Sequence, residues 1–478
     1  MFANSFAKPY FRPAINIGCM LDIPTGKYQE GKHGEMIMDG GLGPLTGITS
    51  RPNNFKTALA IFMMAMVRRC LPKVEGISYD SEGTLEPVHR LTVMSQHFAE
   101  LRTIDWANDT QFAFTDLSRY SGDEFFKLFR DVLREKEKNA KQYNMVTPFV
   151  DIHGKNKDTL YPSVGLIDSF THMQVTVVEA MYDKNTIGSS GNNTDNMALG
   201  KAKTQLFNQL PQLCARSLLY QILTAHTTDV INMEMFPTDK RRLSHMKQNT
   251  TIKGVGPGFS SLPNNAWSIE KNNVLQNRDK TPLYPRDNST AMEGDTDLKI
   301  LEIINLRGKG GITGQPIRII VSQTEGIRSD LTDFHYCKEN NWGIGGNIQN
   351  YYLELKPDVK LSRTVVNKKL AEDKALKRAA EIQSELLQLI QYQRWTAEQV
   401  CDPKTLYEDL TKMGYDWEFI LNNTRNWWVP VEDDAKHPLK FLSTYDLLRM
   451  RTGEYKPYWM SKEDKAKIKP LDFVKATV

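Results

Sequence analysis

The chain has 478 residues, of which 40% are hydrophobic and 25% are charged, and its formal net charge is only +4. This composition is typical of a soluble globular protein and excludes fibrous and extensively disordered chains. The small net charge neither requires nor excludes nucleic acid, so any nucleic-acid binding must come from a local patch. The length predicts two domains, or one large core with insertions.

The cysteines and the apolar runs indicate the cellular compartment. The five cysteines are scattered, and neither C-x-x-C nor H-E-x-x-H occurs, which disfavours a disulfide framework and a zinc site. The N-terminal sequence M-F-A-N-S-F-A-K-P-Y lacks the apolar core of a signal peptide. The longest apolar run, residues 58–67, is too short to span a bilayer. We therefore expect a cytoplasmic protein without a membrane partner.

The predicted elements alternate between strand and helix. In chain order they are a strand and glycine-rich loop (36–49), a helix (57–69), a strand ending in acids (74–84), a helix (125–142), a buried strand (161–170), a polar loop (185–200), a helix (201–216) and a strand ending at His226. Residues 227–265 look structureless, and two strands beginning near Leu298 and Pro316 follow. A charged helix (368–395) then leads into an aromatic tail. Such alternation predicts an α/β fold with a mostly parallel central sheet.

The predicted division of the chain follows from these elements. Residues 1–35 form an N-terminal segment, a possible subunit-contact arm, and residues 36–360 form the core. Residues 361–478 form a smaller, mainly helical and aromatic-rich region. We expect the four tryptophans of its tail, Trp417, Trp427, Trp428 and Trp459, to pack in a core rather than to stack on bases.

The segment at residues 44–65 has the layout of a nucleotide-binding P-loop, because a turn-rich stretch runs into Lys56, Thr57 and an apolar helix. In such loops backbone N–H groups surround the phosphates, the lysine reaches the outer phosphates and the hydroxyl binds magnesium. Both glycines of the usual G-x-x-x-x-G-K-[ST] pattern are replaced, by Ser50 and Phe55, so the motif alone is weak. The predicted nucleotide-binding residues are Ser50, Arg51, Pro52, Asn53, Asn54, Phe55, Lys56, Thr57 and Ala58.

Two acidic strand ends supply candidates for the remaining chemistry. Glu82 lies 26 residues beyond Lys56, where a carboxylate beside the P-loop can deprotonate an attacking water. Asp168 follows an apolar strand and fits an aspartate that holds Mg²⁺ together with Thr57. Taken singly, each has an ordinary explanation, a surface turn for Glu82 and a helix cap for Asp168.

The order of these motifs resembles the RecA-like P-loop ATPase core, and in detail the bacteriophage UvsX-type recombinases. The family has Phe-Lys-Ser where this chain has Phe-Lys-Thr, and Asn-His where this chain has Ala225-His226. The resemblance covers roughly residues 14–345. The other matching segments are Tyr-Asp-Ser-Glu at 79–82, Ile-Asp-Ser at 167–169, Glu-Met-Phe at 234–236 and Gly-Val-Gly-Pro at 254–257.

The resemblance implies catalytic roles for five residues and ATP with Mg²⁺ as the cofactors. Lys56 binds the phosphates, Glu82 activates water, and His226 senses the γ-phosphate. Arg307 and Lys309 reach the ATP of an adjacent subunit, as an arginine finger does. The alternatives are a core histidine for His226 and a solvated basic turn for the Arg307–Lys309 pair.

The basic loop at residues 227–262 is the predicted DNA-binding element. Cations beside apolar side chains, here Met235 and Met246, suit single-stranded DNA, because phosphates are neutralised while bases stack. The alternative is a charged loop that only keeps the protein soluble, and residues 185–200 are the candidate second loop. The predicted DNA-binding residues are Phe236, Lys240, Arg241, Arg242, Lys247 and Lys253.

The sequence therefore predicts a DNA-dependent ATPase that coats single-stranded DNA as a filament and promotes strand exchange in phage recombination, repair and replication. Its expected partners are DNA, further copies of itself, and phage single-strand-binding or mediator proteins in the cytoplasm of an infected bacterium. Two alternatives remain open. One is a replicative helicase forming a hexameric ring, and the other is a non-hydrolysing, nucleotide-dependent DNA-binding scaffold.

Overall fold

The computed structural model describes residues 8–83, 87–176, 180, 192–230, 243–286, 294–308 and 311–471. The core contains β1 (Lys27–Glu30), β2 (Met36–Asp39), β3 (Leu45–Ser50), α1 (Lys56–Cys70), β4 (Glu75–Asp80), α2 (Pro87–Ser95), β5 (Phe112–Asp116), α3 (Gly122–Lys138), β6 (Asn144–Val150), β7 (Asn156–Leu160), β8 (Ser163–Asp168), α4 (Asn192–Ser217), β9 (Leu219–Asp229), β10 (Thr250–Ile252), α5 (Gly258–Ser261), β11 (Asn265–Val274), β12 (Leu298–Gly308), β13 (Pro316–Ser322), β14 (Gly326–Ile327) and α6 (Ser329–Glu339).

The elements after α6 are short strands and helices. They are β15 (Ile344–Gly346), β16 (Tyr351–Leu353), β17 (Lys356–Leu361), α7 (Val366–Glu372), α8 (Lys374–Gln393), α9 (Ala397–Val400), α10 (Pro403–Met413), α11 (Trp417–Asn423), β18 (Thr424–Arg425), α12 (Val431–Asp434), β19 (Lys440–Phe441), α13 (Thr444–Arg451) and α14 (Lys462–Lys467). Helices dominate this part of the chain, as predicted. Among the described residues, no helix is both long and apolar enough to cross a membrane.

A large central sheet organises the core. Its strand order is β5-β4-β8-β9-β3-β11-β12-β13-β14, and β10 pairs with the outer part of β9. The six strands from β5 to β11 run parallel to their neighbours, whereas β12, β13 and β14 continue the sheet antiparallel. The parallel strands bring their carboxyl ends to one edge, where ligands bind in open α/β sheets. This arrangement is that of a RecA-like P-loop core and confirms the predicted fold class.

Three predicted boundaries were wrong. Residues 227–265 are not structureless, because β9 continues to Asp229 and the segment also contains β10 and α5. The polar stretch 185–200 is helical from Asn192 onward. The charged helix 368–395 is two helices, separated at Asp373, whose carboxylate caps α8 by accepting the Leu376 N–H at 3.0 Å. A side-chain cap that ends one helix and starts another interrupts an otherwise continuous apolar pattern.

The described part of the N-terminal segment belongs to the chain's own core. Ile15, Ile17 and Leu21 are fully buried, and Ile15 forms an isolated bridge with Leu42. The hairpin of β1 and β2 follows. The proposed role of this segment in subunit contact stays a prediction.

The C-terminal region packs on the core through its tryptophans, as predicted. Trp428 is 1% exposed, its indole N–H donates to the Ala14 carbonyl at 3.0 Å, and its ring meets the Phe149 ring edge-on at 5.6 Å. Trp417 and Trp427 are also buried. Because Trp428 contacts both the N-terminal segment and the β6–β7 hairpin, we expect the two regions to unfold together.

Replacing Trp428 with alanine should therefore lower the free energy of unfolding of the whole chain by about 3–5 kcal/mol, the usual cost of deleting a buried aromatic ring. Urea unfolding monitored by circular dichroism would measure this loss. Phe419→Ala is the control, since Phe419 is 37% exposed and should cost much less. A separate early transition of the tail, with an unchanged transition of the core, would contradict the prediction.

Candidate active site

The P-loop joins the end of β3 to the start of α1. Ser50 is completely buried at the strand end, and Asn53 and Phe55 adopt left-handed backbone conformations with φ of 60° and 59°. The second of these is a glycine position in the usual motif, because glycine adopts positive φ without steric cost. Here the Phe55 ring packs partly buried against the core and lies under the Lys299 ammonium group at 5.4 Å. These contacts offset the backbone cost of a non-glycine residue.

Helix α1 presents its N-terminus to the loop. Residues 59–67 are at most 2% exposed, so packing holds the helix rigidly beneath the sheet edge. Its first turn contains no acidic residue, and its unpaired N–H groups together with the helix dipole favour an anion there. The Lys56 side chain, 8% exposed, emerges from the first turn. The predicted segment 50–58 thus has the shape and charge of a phosphate-binding loop.

Asp168 lies at the end of β8, next to the first turn of α1. The hydroxyls of Thr57 and Thr224 donate to its two carboxylate oxygens. Burial raises the pKa of Asp168 above its ordinary value, while the two hydroxyl bonds and the Lys56 charge act in the opposite direction. A hydroxyl and a carboxylate in contact form an all-oxygen donor set, which suits Mg²⁺. The residues present therefore fit the predicted magnesium site.

Glu82 lies just beyond β4 and contacts two other candidate residues. Its Oε1 is 3.1 Å from His226 Nε2 and 4.0 Å from Lys56 Nζ. Burial alone would raise the pKa of Glu82, but the His226 hydrogen bond and the Lys56 charge outweigh it and hold the pKa below its ordinary value. The carboxylate is thus ionised at neutral pH and, at 29% exposure, open to water. Both properties are required of a general base.

The ends of β4 and β8 are tied together, which fixes Glu82 relative to Asp168. Ser81 donates its N–H to the Asp168 carbonyl at 2.8 Å and its hydroxyl to the Ser169 carbonyl at 2.6 Å. The Ser169 N–H donates in return to Ser81 Oγ at 2.9 Å. The magnesium-site carboxylate and the candidate base therefore belong to one rigid edge.

Thr171 connects the candidate sensor His226 to the segment that follows it. Its hydroxyl accepts the His226 N–H at 2.9 Å and donates to the Lys253 carbonyl at 3.1 Å. Its own carbonyl accepts a bond from the buried Lys203 of α4 at 2.6 Å. The Lys253 N–H also donates to the His226 carbonyl at 2.8 Å. Through these hydrogen bonds, a shift of the His226 backbone would displace both β10 and α4.

The predicted DNA-binding loop is only partly described. Phe236, Lys240, Arg241 and Arg242 lie outside the described residues. Lys247 and Lys253 are described, and both are exposed, as a phosphate contact requires. The proposed role of Met246 as an apolar wedge for DNA was wrong, since Met246 is 2% exposed and belongs to the chain's own core.

The loop begins at the same sheet edge as the P-loop. Asp229, the last residue of β9, forms a 2.7 Å ion pair with Arg51 of the P-loop. This pair is solvent-exposed and therefore weak, but it joins the P-loop directly to the start of the basic loop.

Arg307 lies at the opposite end of the sheet. It pairs with Ala266, which pairs in turn with Gly47, so Arg307 is level with the amino half of β3 while the P-loop follows its carboxyl end. Its Nε donates to the Pro263 carbonyl at 3.1 Å, and the side chain is half-buried. The structure therefore does not bring Arg307 to the P-loop of its own chain. Lys309, its predicted partner, lies outside the described residues.

Two residues of the site were not predicted from the sequence. Thr224, which donates to Asp168, lies two residues before His226 and so points to the same face of β9. His172 lies beyond β8, with its ring centroid 4.9 Å from that of His226. The two-residue spacing between Thr224 and His226 could have indicated that Thr224 belongs to the site. Nothing in the sequence around His172 indicates that it lies beside His226.

Comparisons with known proteins add little to this geometry. No protein-family model and no curated protein matches the chain. Among solved structures, it is similar to one described as a DnaB-like replicative helicase studied with its interactions with primase. The identity is 13%, the TM-score is 0.31, and the match covers 59% of this chain and 57% of the helicase chain. The assignment of the fold therefore rests on the strand order and the P-loop geometry.

Proposed function

We propose that this chain is an ATP-dependent DNA recombinase that assembles on single-stranded DNA as a helical filament and promotes strand exchange. One observation carries the proposal: Glu82 contacts both Lys56, which faces the phosphate loop, and His226, whose strand leads into the basic segment. Nucleotide and DNA contacts are therefore linked through one carboxylate. In this proposal the other partners are phage single-strand-binding or mediator proteins in an infected bacterial cytoplasm.

In the proposed mechanism each group has one task. Lys56 and the α1 N-terminus bind the phosphates, and Glu82 accepts the proton of the attacking water. Mg²⁺, held by Thr57 and Asp168, would neutralise phosphate charge. His226 exchanges its bond to Glu82 for one to the γ-phosphate, and the Thr171 contacts pass that change to β10.

The experiment that tests the proposal has two readouts. ATP hydrolysis should rise when single-stranded DNA is added, and negatively stained micrographs should show helical filaments that require DNA and ATP. Discrete hexameric rings would favour the alternative of a helicase, which shares the core. ATP binding without hydrolysis would favour the alternative of a non-hydrolysing scaffold. The replacement of both P-loop glycines, by Ser50 and Phe55, is the feature of the chain that supports this alternative.

The basic segment should supply the phosphate contacts. Replacing Lys240, Arg241 and Arg242 together with alanine should weaken single-stranded DNA binding and reduce the slope of log K against log salt by about 2, since each contact contributes roughly 0.7. Fluorescence anisotropy at several salt concentrations measures the slope. Phe236→Ala should weaken binding without changing the slope, because stacking releases no counterions.

The matched control for this prediction lies on the C-terminal region. Lys404 and Lys412 are exposed on α10, and their double alanine variant should leave both affinity and slope unchanged. Unchanged binding in the Lys240, Arg241 and Arg242 variant would mean that the segment only solubilises the chain.

A further inference from the structure

Three potential metal ligands, one of them the candidate base Glu82, lie together at the edge of the sheet. Glu82, His172 and His226 each offer a ligand atom, and these atoms all lie within 4.8 Å of one another. The residues lie near or beyond the carboxyl ends of β4, β8 and β9, which are adjacent in the sheet. No sequence motif indicated this cluster, because its members come from three separate strands.

We propose that Glu82, His172 and His226 form an inhibitory site for Zn²⁺. Two imidazoles and one carboxylate, with water in the fourth position, are a donor set that zinc accepts. The site is distinct in chemistry from the magnesium position at Thr57 and Asp168, which offers oxygen alone. Zinc inhibition of hydrolysis rests on the proposed ATPase function, whereas metal binding itself does not.

The geometry needs only a small adjustment. Ligands bound to zinc at about 2.0–2.1 Å stand roughly 3.3 Å apart in a tetrahedron. His226 Nε2 and Glu82 Oε1 are already 3.1 Å apart. His172, which is exposed, must therefore approach by at most about 1.5 Å, which a side-chain rotation supplies. Among the described residues, the other ring nitrogen of His226, Nδ1, is buried without a hydrogen-bond partner. Coordination through Nε2 would place the ring proton on Nδ1 with no acceptor, which lowers the expected affinity.

The backbone positions of both histidines are held in place. Thr171, which precedes His172, accepts the His226 N–H at 2.9 Å, and the His172 N–H donates to the Ser169 carbonyl at 3.2 Å. Lys56, 4.0 Å from Glu82, opposes a dication, so the affinity should be weaker than that of a structural zinc site.

A bound zinc ion would stop hydrolysis by a direct route. The Glu82 oxygen that coordinates the metal cannot accept a proton from water, and His226 is held away from the γ-phosphate. The five cysteines of the chain are all buried, so they do not compete for the ion in the folded protein. Zinc would therefore act as a reversible inhibitor that leaves the magnesium site intact.

The first test uses Co²⁺ as a coloured substitute for zinc, added to the full-length protein without nucleotide or magnesium. We expect one ion per chain and a visible absorption band typical of a four- or five-coordinate site. His172→Gln should weaken binding by about tenfold or more. His153→Gln, which changes an exposed histidine of the β6–β7 turn, should bind as the wild type does.

Direct coordination has its own signature. His172→Cys should retain binding and add a thiolate-to-cobalt charge-transfer band in the near ultraviolet, which a merely structural effect of residue 172 would not produce. Thermal unfolding of each variant checks that the exposed substitution has left the fold intact.

The second test measures ATP hydrolysis on single-stranded DNA at constant magnesium. Zinc should inhibit the wild-type protein, and a zinc-selective chelator should restore activity. The hydrolysis rate of His172→Gln, compared with its own rate without zinc, should fall much less. Equal cobalt affinity in the wild type and His172→Gln, or equal inhibition of both, would overturn the proposal. If the chain proved not to hydrolyse ATP, the cobalt titration would still decide the metal site, so the two failures remain distinguishable.

Discussion

Replacing Glu82 with glutamine should leave ATP binding almost unchanged and reduce the rate of hydrolysis by about 10²–10⁴-fold, the range contributed by a general base. The amide keeps the size of the carboxylate and can still bond to His226, but it cannot take a proton from water. The lowered pKa of Glu82 means that the carboxylate is already ionised at neutral pH, so the loss should appear across the whole neutral range.

Two measurements separate chemistry from binding. Fluorescent nucleotide titration gives the affinity, and phosphate release gives the rate. Lys56→Ala should already lose nucleotide binding in the titration, because the phosphates lose their buried cation. Glu75→Gln is the matched control, since Glu75 is exposed at the start of the same strand and should retain full activity. Normal hydrolysis by Glu82→Gln would mean that another group activates the water.

The elements that could be predicted from the sequence are those buried on all sides. Helix α1 and strands β8 and β9 are continuous apolar runs with clear ends, and each was found within a few residues of its observed bounds. Strand β11 was missed because only its first half is buried, while its second half reads as polar. Its pairing with β3 and β12, rather than local propensity, makes it a strand.

The residues of the candidate site that lie in short sequence motifs could be predicted from the sequence. Lys56, Thr57, Glu82, Asp168 and His226 were all identified, and the structure brings them to one sheet edge. His172 could not be found this way, because its importance depends on β8 lying between β4 and β9. Strand order is a property of the tertiary fold, and the sequence near His172 gives no local signal of it.

Arg307→Ala should bind ATP normally yet lose about 10³-fold or more in DNA-dependent hydrolysis, the effect expected for an arginine finger. Arg307 is level with Gly47, roughly 10 Å along β3 from Ser50 in the direction of the amino end of the strand. The P-loop follows the carboxyl end of β3, so Arg307 does not approach the P-loop of its own chain. A role in catalysis therefore requires a second copy, stacked head to tail, whose P-loop faces this end of the sheet.

The control for this substitution is Arg318→Ala. Arg318 is an exposed arginine on β13, the strand that pairs with β12, and its ion pair with Glu339 is at the surface. Its loss should leave hydrolysis unchanged. An equal defect in both variants would indicate damage to the β12–β13 hairpin rather than loss of a catalytic cation.

Mixing two inactive variants tests whether the cation acts between subunits. In an assembly of equal parts Arg307→Ala and Glu82→Gln, half of the P-loops keep the base and half of their neighbours keep the arginine. Random assembly then gives about one quarter of sites with both groups, so hydrolysis should recover to roughly one quarter of the wild-type rate. If Arg307 served its own chain, every site would lack one group, and co-assembled subunits would stay inactive at any ratio.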